Sequence, residues 1–124
     1  MEVASTMGIN QYFIPAAVRA DLETPAVLVD RRIMQANMTW MQDLAVKTGL
    51  KLRPHVKTHK SVAIARQQMA TGACGLTAAK VEEALVFIEA GLPSLTLAYP
   101  QVTATKLERL LAAFEKKKRK KKKR

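Results

Sequence analysis

The chain lacks most of what would make its class obvious. Of its 124 residues only one, Cys74, is a cysteine. No intrachain disulfide can form, which fits a reducing compartment and a cytoplasmic protein. Cys74 reads as a small buried apolar residue at the start of a strand rather than a reactive thiol. No stretch approaches the ~20 apolar residues of a membrane span. The start, Met1-Glu2, lacks the basic region of a secretory signal, so a soluble protein with no membrane partner is expected. Aromatics are scarce at 5%, against six methionines, which points to an adaptable aliphatic core. No GxGxxG follows any apolar run, which disfavours a dinucleotide-binding unit.

Acidic residues are also few, 10 against 21 Lys and Arg, for a net charge of +11. The excess is local. Residues 116–124, KKKRKKKKR, are all basic; without those nine, 12 basic side chains face 10 acidic ones and the body carries only +2. The protein reads as a near-neutral body with a basic tail over 115–124, expected to lack structure because like charges repel.

Three segments are proposed: an N-terminal arm over 1–23, a body over 24–114 and the tail. Within the body, TPAVLVD (24–30) reads as a strand, and Asp30 as a helix cap. Met34, Met38, Met41 and Ala45 recur at helical steps over 31–47, and Gly49 closes that helix. Trp40 beside this stripe reads as a packing residue. A strand over 51–58 follows, then a helix from the Ser61 cap to Gly72. A strand over 74–80, a helix over 81–91, a strand over 94–100 and a helix over 103–114 complete the pattern. Strands alternating with single helices predict an α/β fold with parallel pairing. A (β/α)-barrel fits best, yet a complete one needs ~250 residues, so only part of one is expected.

The strand at 51–58 is unusual. In LRPHVKTHKS (52–61), Arg53, His55, Lys57 and His59 occupy alternate positions and therefore one face. Leu52, Pro54 and Val56 would meet the helices, while Arg53, His55 and Lys57 would point into a barrel. Lys57 is then nearest the C-terminal mouth, where such folds do chemistry. An amine in a partly desolvated pocket beside other cations gives up its proton more readily. It can then attack an aldehyde to form a Schiff base. From pattern alone, a surface strand with solvated basic residues reads equally well.

Together, TPAVLVD, LRPHVKTHK, GLTAAKVEEA and LAYP resemble, in order and spacing, the N-terminal part of the D-threonine aldolase and D-serine dehydratase-like family. These are fold-type III pyridoxal-phosphate enzymes related to alanine racemase. The resemblance covers roughly residues 22–112, and Pro54 inside a basic strand makes its central motif specific. It implies a partial (β/α)8 barrel of the alanine racemase type: about three barrel strands, plus TPAVLVD as one strand of a second domain. It implies a lyase acting on β-hydroxy-D-amino acids with pyridoxal 5'-phosphate as cofactor, and a homodimer at full length. Lys57 matches the family's cofactor lysine. His55, His59 and Arg53 would shape the cofactor pocket, and Lys60 would be solvated at a helix start. His55 and His59 are not expected to bind a metal. The family's divalent-metal site lies in a C-terminal domain with no counterpart in this sequence. The match stops near Phe114, where a purine-coded run suits an interrupted reading frame, so an inactive fragment is expected. A non-catalytic cofactor-binding protein, or a tail that binds nucleic acid or other polyanions, are the alternatives.

Overall fold

Period-3.6 apolar stripes and glycine stops define most of the helices. The computed structural model describes residues 14 and 16–122, and the chain divides into two units, 1–30 and 31–124. Most of the expected arm lies outside the described residues. In the first unit, α1 (Ala16–Ala20) is a short helix followed by an irregular segment. Residues 24–30 form no strand, contrary to the sequence reading, and Val27 is 94% exposed. Its β-branched residues favour an extended chain, but a strand also needs a hydrogen-bonded partner.

The second unit opens with α2 (Arg31–Lys47), which buries Ala45 and half-buries Met34 and Met38. Gly49 (φ 70°) ends it in the left-handed region, and the Leu50 N–H reaches back to Ala45 O at 2.9 Å. Trp40 is 63% exposed, so it is not the packing residue expected.

Residues 52–56 run beside β1 (Leu76–Ala78). The Cys74 N–H donates to Leu52 O (2.9 Å), Thr77 N–H to Pro54 O (2.8 Å) and Val56 N–H to Thr77 O (2.8 Å). Pro54 has no N–H to donate, and the chain turns away after Val56, so this is a short parallel bridge rather than the strand expected over 51–58. Cys74 is exposed, contrary to its expected burial.

Three helices follow the parallel segments in turn. Ser61 caps α3 (Val62–Thr71), its Oγ accepting the Ile64 N–H at 3.3 Å. Next come α4 (Val81–Glu89), β2 (Leu95–Leu97) and α5 (Ala104–Lys122). The sheet is parallel, Leu76 opposite Leu95 and Ala78 opposite Leu97. Its helix-facing side chains, Val56, Leu76 and Ala78, pack with Val81, Ala84, Phe87 and Ile88 of α4 and Leu110 of α5 into one core. This is an α/β arrangement with a partial parallel sheet.

The basic run departs from expectation. The sequence reading stopped the last helix at Phe114, but α5 continues to Lys122. Lysine and arginine are good helix formers. Moreover, Lys117 Nζ donates to Leu92 O at 2.7 Å and Lys116 Nζ lies 3.8 Å from Glu89, fixing the run's first residues on α4. Among the described residues, no helix is long and apolar enough to cross a membrane.

Candidate active site

The register of the parallel segments places side chains in rows across one face. His55 pairs with Thr77, and Thr77 with Thr96, so these three form a polar middle row. Two residues earlier on each segment stand Arg53, Gly75 and Ser94. Two residues later stand Lys57, Ala79 and Ala98, at the C-terminal ends.

The lower row is closed by Arg53. Its Nη1 donates to Ser94 Oγ at 3.0 Å and to Leu76 O at 3.4 Å. The guanidinium lies over Gly75, where an added Cβ would come within 2.6 Å of Arg53 Cζ and 2.8 Å of Ser94 Oγ. Gly75 is therefore the spacer that lets the cation cross the sheet. Arg53 lies on the paired segment and Lys57 on the turn beyond Val56, so the two belong to different levels of the site. A neutral cavity of about 330 Å³, lined by Met38, Met41, Leu52, Pro54 and Gln68 among others, includes none of Arg53, His55 and Lys57.

In the middle row, Thr77 Oγ1 donates to Arg53 O at 3.4 Å. His55 Nδ1 accepts the backbone N–H of Lys57 at 3.2 Å. A neutral His55 ring bonded in this way carries its proton on Nε2.

Lys57 stands on a tight turn. The Lys60 N–H closes it on Val56 O at 2.8 Å, and Lys60 itself adopts the left-handed conformation (φ 50°). The side chain of Lys57 is exposed and has no partner among the described residues, where the sequence reading expected partial desolvation. His59 Nδ1 accepts the Ser61 N–H at 3.0 Å, turning this ring toward the α3 cap rather than toward Lys57. Burial lowers the His59 pKa. His59 Nε2 and Gln68 Oε1 are buried without hydrogen-bond partners.

Sequence reasoning missed several partners. Lys60 is not simply solvated: its Nζ lies 3.6 Å from Glu83, whose side chain is only 12% exposed. Glu83 Oε2 also accepts the Ala79 N–H at 2.9 Å, capping α4. Glu83 sits three residues after Lys80, the N-cap, which is the spacing of a capping box. Thr77, Thr96 and Ser94 were visible only as polar residues at alternate strand positions.

Residues 29–115 match the family model described as alanine racemase, N-terminal domain. The chain belongs to this family. The D-threo-3-hydroxyaspartate dehydratase of Delftia sp. (strain HT23) is 44% identical over 77 residues, 62% of this chain and 20% of that protein. The D-threonine aldolase of Arthrobacter sp is 38% identical over 93 residues, 75% of this chain and 24% of that one. The crystal structure of D-threonine aldolase from Filomicrobium marinum has a TM-score of 0.72 at 41% identity, over 76% of this chain and 26% of that chain. The chain thus spans about a quarter of the length of these relatives. The partial sheet, α2, α3 and α4 lie within the matched residues 29–115, and α5 begins there.

Proposed function

We propose that this chain carries the cofactor lysine of a pyridoxal-phosphate-dependent lyase acting on β-hydroxy-D-amino acids, of the D-threonine aldolase or D-serine dehydratase type. The observation that carries the proposal is Lys57: an exposed, unpartnered primary amine, on a closed turn at the C-terminal end of a parallel segment, above a polar face. The residues present fit the cofactor at its aldehyde, since a free amine is the chemistry that end requires. Lys57 would hold it covalently. His55 would offer its Nε2–H at the level below, and Arg53 a fixed positive charge at the base of this face. When bound, pyridoxal phosphate supplies an electron sink for electrons released at the substrate's α carbon.

An aldolase breaks the Cα–Cβ bond to give glycine and an aldehyde, whereas a dehydratase removes the α proton and β hydroxyl. Both would use the same lysine, so Lys57 alone favours neither. Among the described residues, no group of three or more His, Cys, Asp or Glu converges to hold a metal. In this reading the divalent metal implied by the resemblance belongs to the C-terminal domain of the longer relatives. The same reading gives these 124 residues the lysine but no turnover of their own. A homodimer of a longer chain is part of the proposal.

The test is chemical trapping. The Lys57 amine condenses with the cofactor aldehyde with loss of water, and borohydride adds hydride to the new carbon–nitrogen bond. Peptide mapping should find the label on Lys57 and lose it in Lys57→Ala. Labelling of Lys60 alone would refute the assignment.

A second reading concerns the basic run. Its continuation as a helix, with Lys118 and Arg119 exposed beyond the residues held on α4, favours non-specific binding to polyanions.

A further inference from the structure

The turn that carries Lys57 is held from both sides, and the two holds differ. On its N-terminal side, Val56 is fully buried in the core. On its C-terminal side, the chain must pass through Lys60 in a conformation that non-glycine residues seldom adopt. A residue held there needs surroundings that over-determine it. One tie is local, the Lys60 N–H on Val56 O at 2.8 Å. The other reaches to the first turn of α4: Lys60 Nζ to Glu83 Oε1 at 3.6 Å. The second oxygen of that carboxylate accepts the Ala79 N–H at 2.9 Å. Ala79 is the residue that follows β1, as Lys57 follows the last paired residue of its own segment. One carboxylate therefore joins the two turns that end neighbouring parallel segments.

We propose that Glu83, acting through Lys60, is a positioning residue for Lys57: it fixes the turn over 56–60 relative to the end of β1 and so sets where the Lys57 amine is presented. This role rests on the proposed function of Lys57, but the geometry of the turn does not. Burial raises the Glu83 carboxyl's pKa, but the Ala79 N–H and the charge of Lys60 outweigh it and hold the carboxyl below its usual range. Glu83 is thus ionised at neutral pH, as the latch requires. The Lys60 side chain is 67% exposed, so its charge attraction alone is weak. The value of the contact lies in direction: a loose turn still exposes Lys57, but over many orientations. Small misplacements of a reacting group can cost up to about a hundredfold in rate.

The experiment follows the rate at which pyridoxal phosphate and borohydride label Lys57 in the 124-residue chain, with the exposed Lys51 as internal control. Glu83→Gln keeps an acceptor for the Ala79 N–H but removes the charge that attracts Lys60. Lys60→Gly keeps the positive φ but removes the cation. Both variants should label Lys57 about tenfold more slowly, with Lys51 unchanged. Lys60→Arg should restore the rate. Unchanged labelling of Lys57 in both slow variants would overturn the proposal. Amide hydrogen exchange at Lys57 and Lys60 reads the latch without the cofactor, and should be faster in Glu83→Gln and Lys60→Gly. If the unsubstituted chain fails to label Lys57 but exchange responds, the lysine assignment fails and the latch stands. If exchange in both variants matches the parent, the latch fails whatever the labelling. Lys60→Gly alters an exposed turn residue, so it remains informative if Glu83→Gln does not fold.

Discussion

Gly75→Ala tests the lower row of the inward face. The added methyl would overlap Arg53 Nη1 and approach Ser94 Oγ to 2.8 Å. Both neighbours are side-chain ends that can swing away, so overlap itself costs little. The loss is the hydrogen bond from Arg53 Nη1 to Ser94 Oγ, together with the longer one to Leu76 O. A hydrogen bond to a charged group contributes roughly 1.5–3 kcal/mol. Arg53 is only half-buried, so water can take over part of the role and the lower figure applies. Against this, alanine narrows the unfolded ensemble and returns about 0.4–1 kcal/mol where its conformation is compatible. Gly75 has no positive φ, so that gain is available. The balance is a destabilisation of about 0.5–1 kcal/mol, the difference between those two figures.

Urea denaturation of the parent, Gly75→Ala, Arg53→Ala and the double variant should form a cycle with a clear interaction term. In the Arg53→Ala background only Ser94 Oγ remains close to the methyl, and its hydrogen bond with Arg53 is already gone, so Gly75→Ala should become neutral or stabilising. An equal cost of Gly75→Ala in both backgrounds would refute the reasoning, because the penalty would then not pass through Arg53.

His59 should give stability a dependence on mildly acidic pH. Its folded pKa lies below the unfolded value of 6.5, so the unfolded chain binds the proton more readily. Stability is then fully present above 6.5 and falls as pH drops below it, and His59→Gln should flatten that part of the profile. A His59→Gln profile as steep as the parent's between neutral pH and pH 5.5 would count against this. The basic run should bind single-stranded and duplex nucleic acid alike, with affinity falling steeply with salt and disappearing when 118–124 are deleted. Sequence preference, or binding that survives high salt, would argue against a purely electrostatic run.

Legibility in the sequence followed the range of the interactions. Met34, Met38 and Ala45 placed α2, and Val81 and Ile88 placed α4, because helical periodicity is set within a few residues. The parity of Leu52, Pro54 and Val56 against Arg53, His55 and Lys57 was equally local, and it separates a buried Val56 from an exposed Lys57. What failed depended on partners far along the chain. TPAVLVD has the composition of a strand, but composition cannot supply a neighbour. The basic run looked self-repelling until Leu92 O and Glu89 were found to meet Lys117 and Lys116. The Lys60–Glu83 contact joins residues 23 apart, and its only local trace was the capping-box spacing of Lys80 and Glu83.

That division also explains how one strand-like segment can carry three basic or titratable side chains at alternate positions. A buried, unpaired cation would cost several kcal/mol, yet the three groups meet different surroundings. Arg53 is low on the face, where Gly75 leaves room and Ser94 and Leu76 O accept its protons. His55 uses its Nδ1 to accept the Lys57 N–H, which suits the neutral ring and needs no counter-ion. Lys57 stands on the turn beyond the last paired residue, where water solvates its amine. Charge is thus satisfied by protein at the base and by solvent at the rim. Exchanging the two cations, with Lys at 53 and Arg at 57, would put a point charge where a planar fork spans the sheet and remove the Lys57 amine from the rim. The order of the motif, arginine first and lysine last, therefore follows from what each group must do at its own level of the face.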